Sequence, residues 1–311
     1  MRSDLVKSRE FFSKNHQILP NFLQGRTSPL RKFYSLAKPG IIRGNLLTAT
    51  AGFFLASQGS IDWWLYLAAL GGLALVIASG CVFNNYIDRG IDAKMARTKA
   101  RALVQGRISN QTALIYGSVL GVSGFVILGL FANWLTALVA AVGWFFYVVV
   151  YSIWKRRSVY STVIGSISGA MPPVVGYTAV SEELDTAAVI LFAIVVLWQM
   201  PHFYAIGIYR KKDYAAAGIP ILPVKQSVQS AKINILLYVL GFTVAASLLT
   251  VYDYATNFYL AIALVLGLWW LSAGIKGFWA KDDIAWAKRM FRISLVVITG
   301  LSAAIVVDSF I

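Results

Sequence analysis

Roughly nine apolar runs of about 20 residues take up nearly all of this 311-residue chain, near 41–57, 63–87, 112–131, 134–154, 159–180, 187–209, 233–251, 257–275 and 291–310. Wound as a helix, a run of that length satisfies its own backbone and crosses the hydrocarbon of a bilayer. The chain is 58% hydrophobic and 13% charged, which is too apolar for a soluble domain. The expected fold is therefore all-α: a polytopic membrane protein with about nine transmembrane helices in residues 38–311. Residues 1–37 carry charge and Pro without an apolar core or a small-residue cleavage site, so they read as a partly disordered cytoplasmic lead-in rather than a cleaved signal peptide.

The net charge of +15 could point to nucleic acid, so the placement of the charges decides. All 28 Lys and Arg fall before or at the start of the first run and in or beside every second connection. The intervening connections, such as "SEELDT" and "VYDYATN", have none. That alternation follows the positive-inside rule and puts the N-terminus in the cytoplasm and the C-terminus outside; a nucleic-acid face would not alternate with helix number. Cys81 is the only cysteine, which excludes an intrachain disulfide and a multi-cysteine metal site.

At the cytoplasmic end of the second run the sequence reads "FNNYIDRGIDAKMARTKARALVQGR". Steps of four put Asn84, Asp88 and Asp92 on one helix face, provided the helix survives Gly90. Carboxylates at a helix C-terminus oppose the macrodipole, so they need a positive partner. Mg²⁺, with its preference for oxygen ligands and shared phosphates, is one candidate; Arg89, Lys94 or Arg97 are the ordinary ones. A second acidic corner, "YAIGIYRKKDYAAAGIPILPV", places Asp213 four residues after Tyr209 with Arg210, Lys211 and Lys212 between them. Both corners lead into an S-x-Q-[S/T]-A pattern, "SNQTA" and "SVQSA", with Ser109 and Ser227 as expected helix N-caps. This faint repeat of about four helices would turn the two corners toward each other. Asp88, Asp92 and Asp213 then become metal-binding acids, and Arg97, Lys99, Arg101, Lys155 and Arg156 candidate diphosphate-binding cations. Each of these cations also has an ordinary reading as a positive-inside charge.

Through "KPGIIRGNLLT", "NNYIDRGIDAKMARTKARALVQGRIS", "YSIWKRRSVYSTVIGSISGAMPPVVGYTAV" and "LWQMPHFYAIGIYRKKDYAAAGIPILPV", the chain resembles the UbiA superfamily of intramembrane prenyltransferases. "MPPVVGY" and "WQMPHFYA" resemble its haem branch. Asn85 and Tyr209 stand where the wider superfamily usually has Asp, while Gly90 and Ala102 depart from the expected "DRDID" and "RPLV".

The resemblance implies a Mg²⁺-dependent transfer of a farnesyl group from farnesyl diphosphate to a vinyl group of haem b, giving haem O for a terminal oxidase, in the cell inner membrane with the active site toward the cytoplasm. It also implies Asn84, Asp88, Asp92 and Asp213 as the metal–diphosphate ligands. Phe83, Tyr86, Tyr151 and Tyr204 are aromatic candidates to face a cationic stage. His202 lies nearly three turns before Asp213, about 16 Å deeper if the helix is continuous; it reads either as haem-facing, axial to the iron, or as a buried helix-to-helix hydrogen bond. Pro172 and Pro173, between Gly169 and Gly176, are expected to break their helix, either to make room for a flat acceptor or for close packing. The rival readings are a phenolic or quinone acceptor, a secondary transporter and a non-catalytic haem-binding partner.

Overall fold

The computed structural model describes residues 28–311. Most of the expected lead-in, with His16, lies outside the described residues. Two compact units divide after Ser35. In the first, the Ser28 hydroxyl accepts from the Arg31 amide at 3.3 Å beside the start of the Pro29–Leu36 helix. The second, Leu36–Ile311, is a helical bundle.

Eight helices in the bundle are long and apolar enough to cross a membrane: Trp63–Asp92, Asn110–Phe131, Trp134–Trp154, Ser161–Ser181, Thr186–Tyr209, Val228–Val251, Asn257–Trp279 and Asp283–Asp308. The first expected run forms the Pro39–Ser57 helix, but Arg43 and Asn45 in its first turns shorten its apolar stretch. The last helix begins eight residues earlier than its apolar run, because charged residues on one face do not interrupt the backbone ladder.

Polar side chains start the helices. Asp62 accepts from the amides of Trp64 and Leu65 at 2.9 and 3.0 Å, Asn133 from Thr136 at 2.8 Å and Asp185 from Ala188 at 3.0 Å. The two repeat serines do the same: Ser109 accepts from Thr112 at 3.0 Å and Ser227 from Ser230 at 2.9 Å. Each cap satisfies amides that the helix leaves without a partner.

Successive helices pack side by side, and the last returns to pack against the first, closing the bundle. The Pro39–Ser57 helix also lies along Ser161–Ser181 at very short range. A Cβ on Gly52 would sit 1.9 Å from the Pro173 carbonyl oxygen, and one on Gly176 would sit 1.9 Å from that of Ala49. Pro172 and Pro173 do not break their helix, which runs from Ser161 to Ser181. Pro201 likewise lies inside a continuous helix. Neighbouring helices on both sides hold the backbone where ladder bonds are missing.

Gly176→Ala should lower the thermal unfolding midpoint in detergent by an amount equivalent to about 1–3 kcal/mol, the usual range for overpacking. Gly90→Ala should not lower it, because the helix there is exposed and nothing lies within 4 Å of the added Cβ; an Ala-for-Gly gain of about 0.5–1 kcal/mol is expected.

Candidate active site

The Trp63–Asp92 helix continues through Gly90, so Asn84, Asp88 and Asp92 do share a face, and all three are buried. Their cationic partners come from other segments. Lys155 pairs with Asp88 Oδ2, and Arg101 Nη1 lies 2.5 Å from Asp92 Oδ2. Of the neighbours expected to neutralise these acids, Arg89 instead donates to the Tyr86 carbonyl at 2.7 Å and covers the Tyr86 ring at 4.3 Å. Its place in sequence, one residue from Asp88, turns it to a different side of the helix.

Two asparagines arrange the charges. Asn84 Nδ2 donates to Asp88 Oδ2 at 3.0 Å, while its Oδ1 accepts from Lys38 Nζ at 2.8 Å. Asn85 is anchored by Nδ2 on the Leu36 carbonyl at 2.9 Å, and its Oδ1 accepts from Arg101 Nη1 at 3.1 Å. Arg101 is thereby held by both Asn85 and Asp92. Asp88 keeps one oxygen, Oδ1, buried with no hydrogen-bond partner. A buried anionic oxygen in that state is costly unless a ligand completes it.

Lys38 stands out for its backbone. Its φ of 52° and ψ of 66° are left-handed, which is rare for a side chain with a Cβ and disfavoured before a proline. This turn leads into the Pro39–Ser57 helix, and Nζ reaches Asn84. Burial is the main cause that lowers the Lys38 ammonium to about 8. Burial also lowers that of Lys155, against the opposing pull of Asp88. Cations whose charge is poorly solvated are primed to gain from an added anion.

The second corner departs from expectation. Its helix ends at Tyr209, and Asp213 sits on a separate short helix, Lys211–Ala216. The count of turns from Asp213 back to His202 therefore does not fix a shared face. Arg210, at the break, lies 3.6 Å from Asp213.

Both corners nevertheless line one cavity of about 920 Å³. Lys38, Arg97, Arg101, Lys155 and Arg210 line it alongside Asn84, Asp88, Asp92 and Asp213; Lys99 and Arg156 do not. Lys99 is exposed, and Arg156 donates to the Ile87 carbonyl at 3.2 Å. Among the described residues no three carboxylate, imidazole or thiol groups form a ready-made metal cluster; the acids are interleaved with cations. The donors still fit Mg²⁺, which is commonly held by one or two carboxylates and completed by water and phosphate oxygens. The unpartnered Asp88 Oδ1 supplies such a position.

Further in, the lining turns apolar and aromatic. A π-helical segment, Phe146–Tyr151, interrupts the Trp134–Trp154 helix. Such widened turns often accompany functional sites. Tyr147 and Tyr151 stack within it at 6.2 Å, and both line the cavity. Of the other aromatic candidates, Tyr204 lines the cavity, while Phe83 and Tyr86 do not.

Gly169 and Pro172 also line it, whereas Gly176 packs against Ala49, so the segment both borders the cavity and packs closely. Gly169 leaves room for Gln199, whose Oε1 would lie 2.1 Å from an added Cβ. His202 lines the cavity as well, and its Nδ1 lies 2.7 Å from Ser294 Oγ on the last membrane helix. The two readings of His202 are therefore compatible. Lys38, Asn85, Gln199 and Ser294 were not among the sequence-derived site residues. Lys38, Asn85 and Gln199 lie within quoted motifs, but no spacing pattern points to Ser294.

The UbiA prenyltransferase family matches residues 45–296. A relative named Protoheme IX farnesyltransferase, from Cronobacter sakazakii, is 51% identical over 280 residues, covering 90% of this chain and 95% of its own. Protoheme IX farnesyltransferase 2 of Pseudomonas fluorescens is 53% identical with the same coverage. Among solved structures, one of a digeranylgeranylglyceryl phosphate synthase gives a TM-score of 0.76 at 18% identity, over 90% of this chain and 98% of that one. A UbiA homologue from Archaeoglobus fulgidus bound to GPP and Mg²⁺ gives 0.68 at 14% identity, over 89% and 99%. With the family matched across most of its length and relatives more than half identical to it, the chain belongs to the UbiA prenyltransferase family.

Proposed function

We propose that this chain transfers the farnesyl group of farnesyl diphosphate to a vinyl group of haem b, with addition of water, to give haem O and free diphosphate. The identity of 51–53% to protoheme IX farnesyltransferases over 90% of the chain carries the choice of substrates. The cavity fits the chemistry, because acids and cations cluster in one part of its lining and the rest is mainly apolar and aromatic. The Lys and Arg that line the mouth belong to the basic connections, which supports a mouth that opens to the cytoplasm of the inner membrane.

Asp88, Asp92 and Asp213, with the Asn84 carboxamide, are the groups that would hold Mg²⁺, which when bound neutralises diphosphate and makes it a better leaving group. Lys38, Arg97, Arg101 and Lys155 meet the oxygens on which charge grows as the bond from farnesyl C1 breaks. Because Asn84, Asn85 and the acids fix them beforehand, they need little rearrangement during the reaction.

The apolar lining keeps water from the allylic cation until the vinyl carbon attacks it. Tyr147 and Tyr151, which line the cavity, are the aromatic rings that would stabilise that stage. The new bond joins C1 to the vinyl group, and water then supplies the hydroxyl and releases a proton. A phenolic or quinone acceptor remains the rival, separable by product mass.

Purified protein given haem b, farnesyl diphosphate and Mg²⁺ should yield a porphyrin heavier by one farnesyl and one hydroxyl group, and none in a metal-free control. Unchanged haem beside a prenylated phenol would select the rival. Asp88→Asn keeps the shape but removes the charge, so it should lower kcat by about 10²–10³-fold, the usual effect of deleting one transition-state charge partner. Haem binding should not change. Full activity in both Asp88→Asn and Asp213→Asn would contradict a catalytic role for these acids.

A further inference from the structure

Ser294 is completely buried and takes part in three hydrogen bonds that tie the last helix to Trp198 and His202 and to its own preceding turn. Its carbonyl accepts from Trp198 Nε1 at 2.7 Å. Its hydroxyl donates to the Phe291 carbonyl at 2.7 Å and lies 2.7 Å from His202 Nδ1. Trp198 and His202 are one turn apart on the Thr186–Tyr209 helix, so a single serine on the last helix holds both.

The hydroxyl has one proton and two acceptors at 2.7 Å; directed at the Phe291 carbonyl, it leaves the oxygen to accept from His202, which puts the proton between them on Nδ1. In a neutral imidazole the other nitrogen then carries a lone pair. Ser294 is the only hydrogen-bond partner of the His202 ring among the described residues, so Nε2 is left uncommitted. The ring plane is held too: Trp198 stacks on it at 4.9 Å and 28°, and Phe291 lies at 4.8 Å and 39°. His202, Trp198 and Phe291 all line the cavity.

We propose that Ser294 is a positioning residue that fixes His202 as the Nδ1–H tautomer, so that Nε2 is presented as an axial donor to the iron of the haem substrate. This rests on the reading of haem as the acceptor and adds how it is oriented. Metal-binding histidines commonly donate their second N–H to an acceptor that fixes ring and tautomer, and loss of that acceptor typically weakens metal binding by about 10–100-fold. Here the ligated metal belongs to a substrate, so the bond would set how deep in the cavity the haem lies and the tilt of its plane.

The test is a titration of the purified full-length protein with haem b, followed by absorption and by resonance Raman of the ferrous complex. The wild type should show an axial imidazole, lost in His202→Ala and restored by added imidazole. Iron-free protoporphyrin IX should bind the wild type and His202→Ala alike. Ser294→Ala should weaken haem binding by about 10–100-fold and shift the iron–imidazole stretch, while Ser294→Thr, which keeps the hydroxyl, should restore both. If Ser294→Ala does not fold, Ser294→Cys, a weaker acceptor, should show the same direction of change. An imidazole signature that survives His202→Ala, or a Ser294→Ala complex indistinguishable from wild type, would overturn the proposal. Product formation is read separately: haem O made without an axial imidazole counts against this role alone, and an imidazole-bound haem that is never farnesylated counts against the reaction.

Discussion

Charge cannot be left alone at the edge of a bilayer, and the placement of Asp88 and Asp92 near the C-terminal end of a long apolar helix makes this acute. The helix dipole and the low dielectric both oppose two carboxylates there. The surrounding structure answers with cations from distant segments: Lys155 for Asp88 and Arg101 for Asp92. Asn84 and Asn85 then tie Lys38, Arg101 and the Leu36 carbonyl into the same network. Loss of one member of a buried ionic network usually leaves another charge uncompensated, a loss of roughly 3–5 kcal/mol.

Not all of the network is satisfied. Asp88 Oδ1 has no partner, Lys38 is held in a strained backbone, and burial weakens the ammonium charge of both Lys38 and Lys155. These features cost stability, and a ligand bringing a metal ion and an anion together would relieve the unpartnered oxygen and the poorly solvated cations. Behind the mouth, small residues let helices approach closely enough to build a cavity of mixed lining, as where Gly169 admits Gln199. The π-helical segment sets Tyr147 and Tyr151 along that cavity.

Much of this was legible in the sequence because it depends on local rules. Apolar runs of membrane length, caps such as Ser109 and Ser227, and the four-residue steps of Asn84, Asp88 and Asp92 need only chain neighbours to be read. What depended on distant partners was not legible. The cations that neutralise the acids lie nine and sixty-seven positions away, and Ser294 meets His202 across ninety-two. The break at Arg210 was hidden because the sequence there remains compatible with helix, and only its φ of −108° and ψ of 14° mark the end. The prolines misled in the opposite direction, since packing kept the Ser161–Ser181 helix whole.

The central claim, that the interleaved acids and cations form a seat for a metal-bound diphosphate, is tested most directly by calorimetric titration with a non-reacting thio analogue of farnesyl diphosphate, with Mg²⁺ and with a chelator. The account predicts binding at least about tenfold tighter with Mg²⁺, a difference of about 1.4 kcal/mol, and predicts that Asp88→Asn abolishes most of that difference. Equal affinity with and without the metal would contradict it.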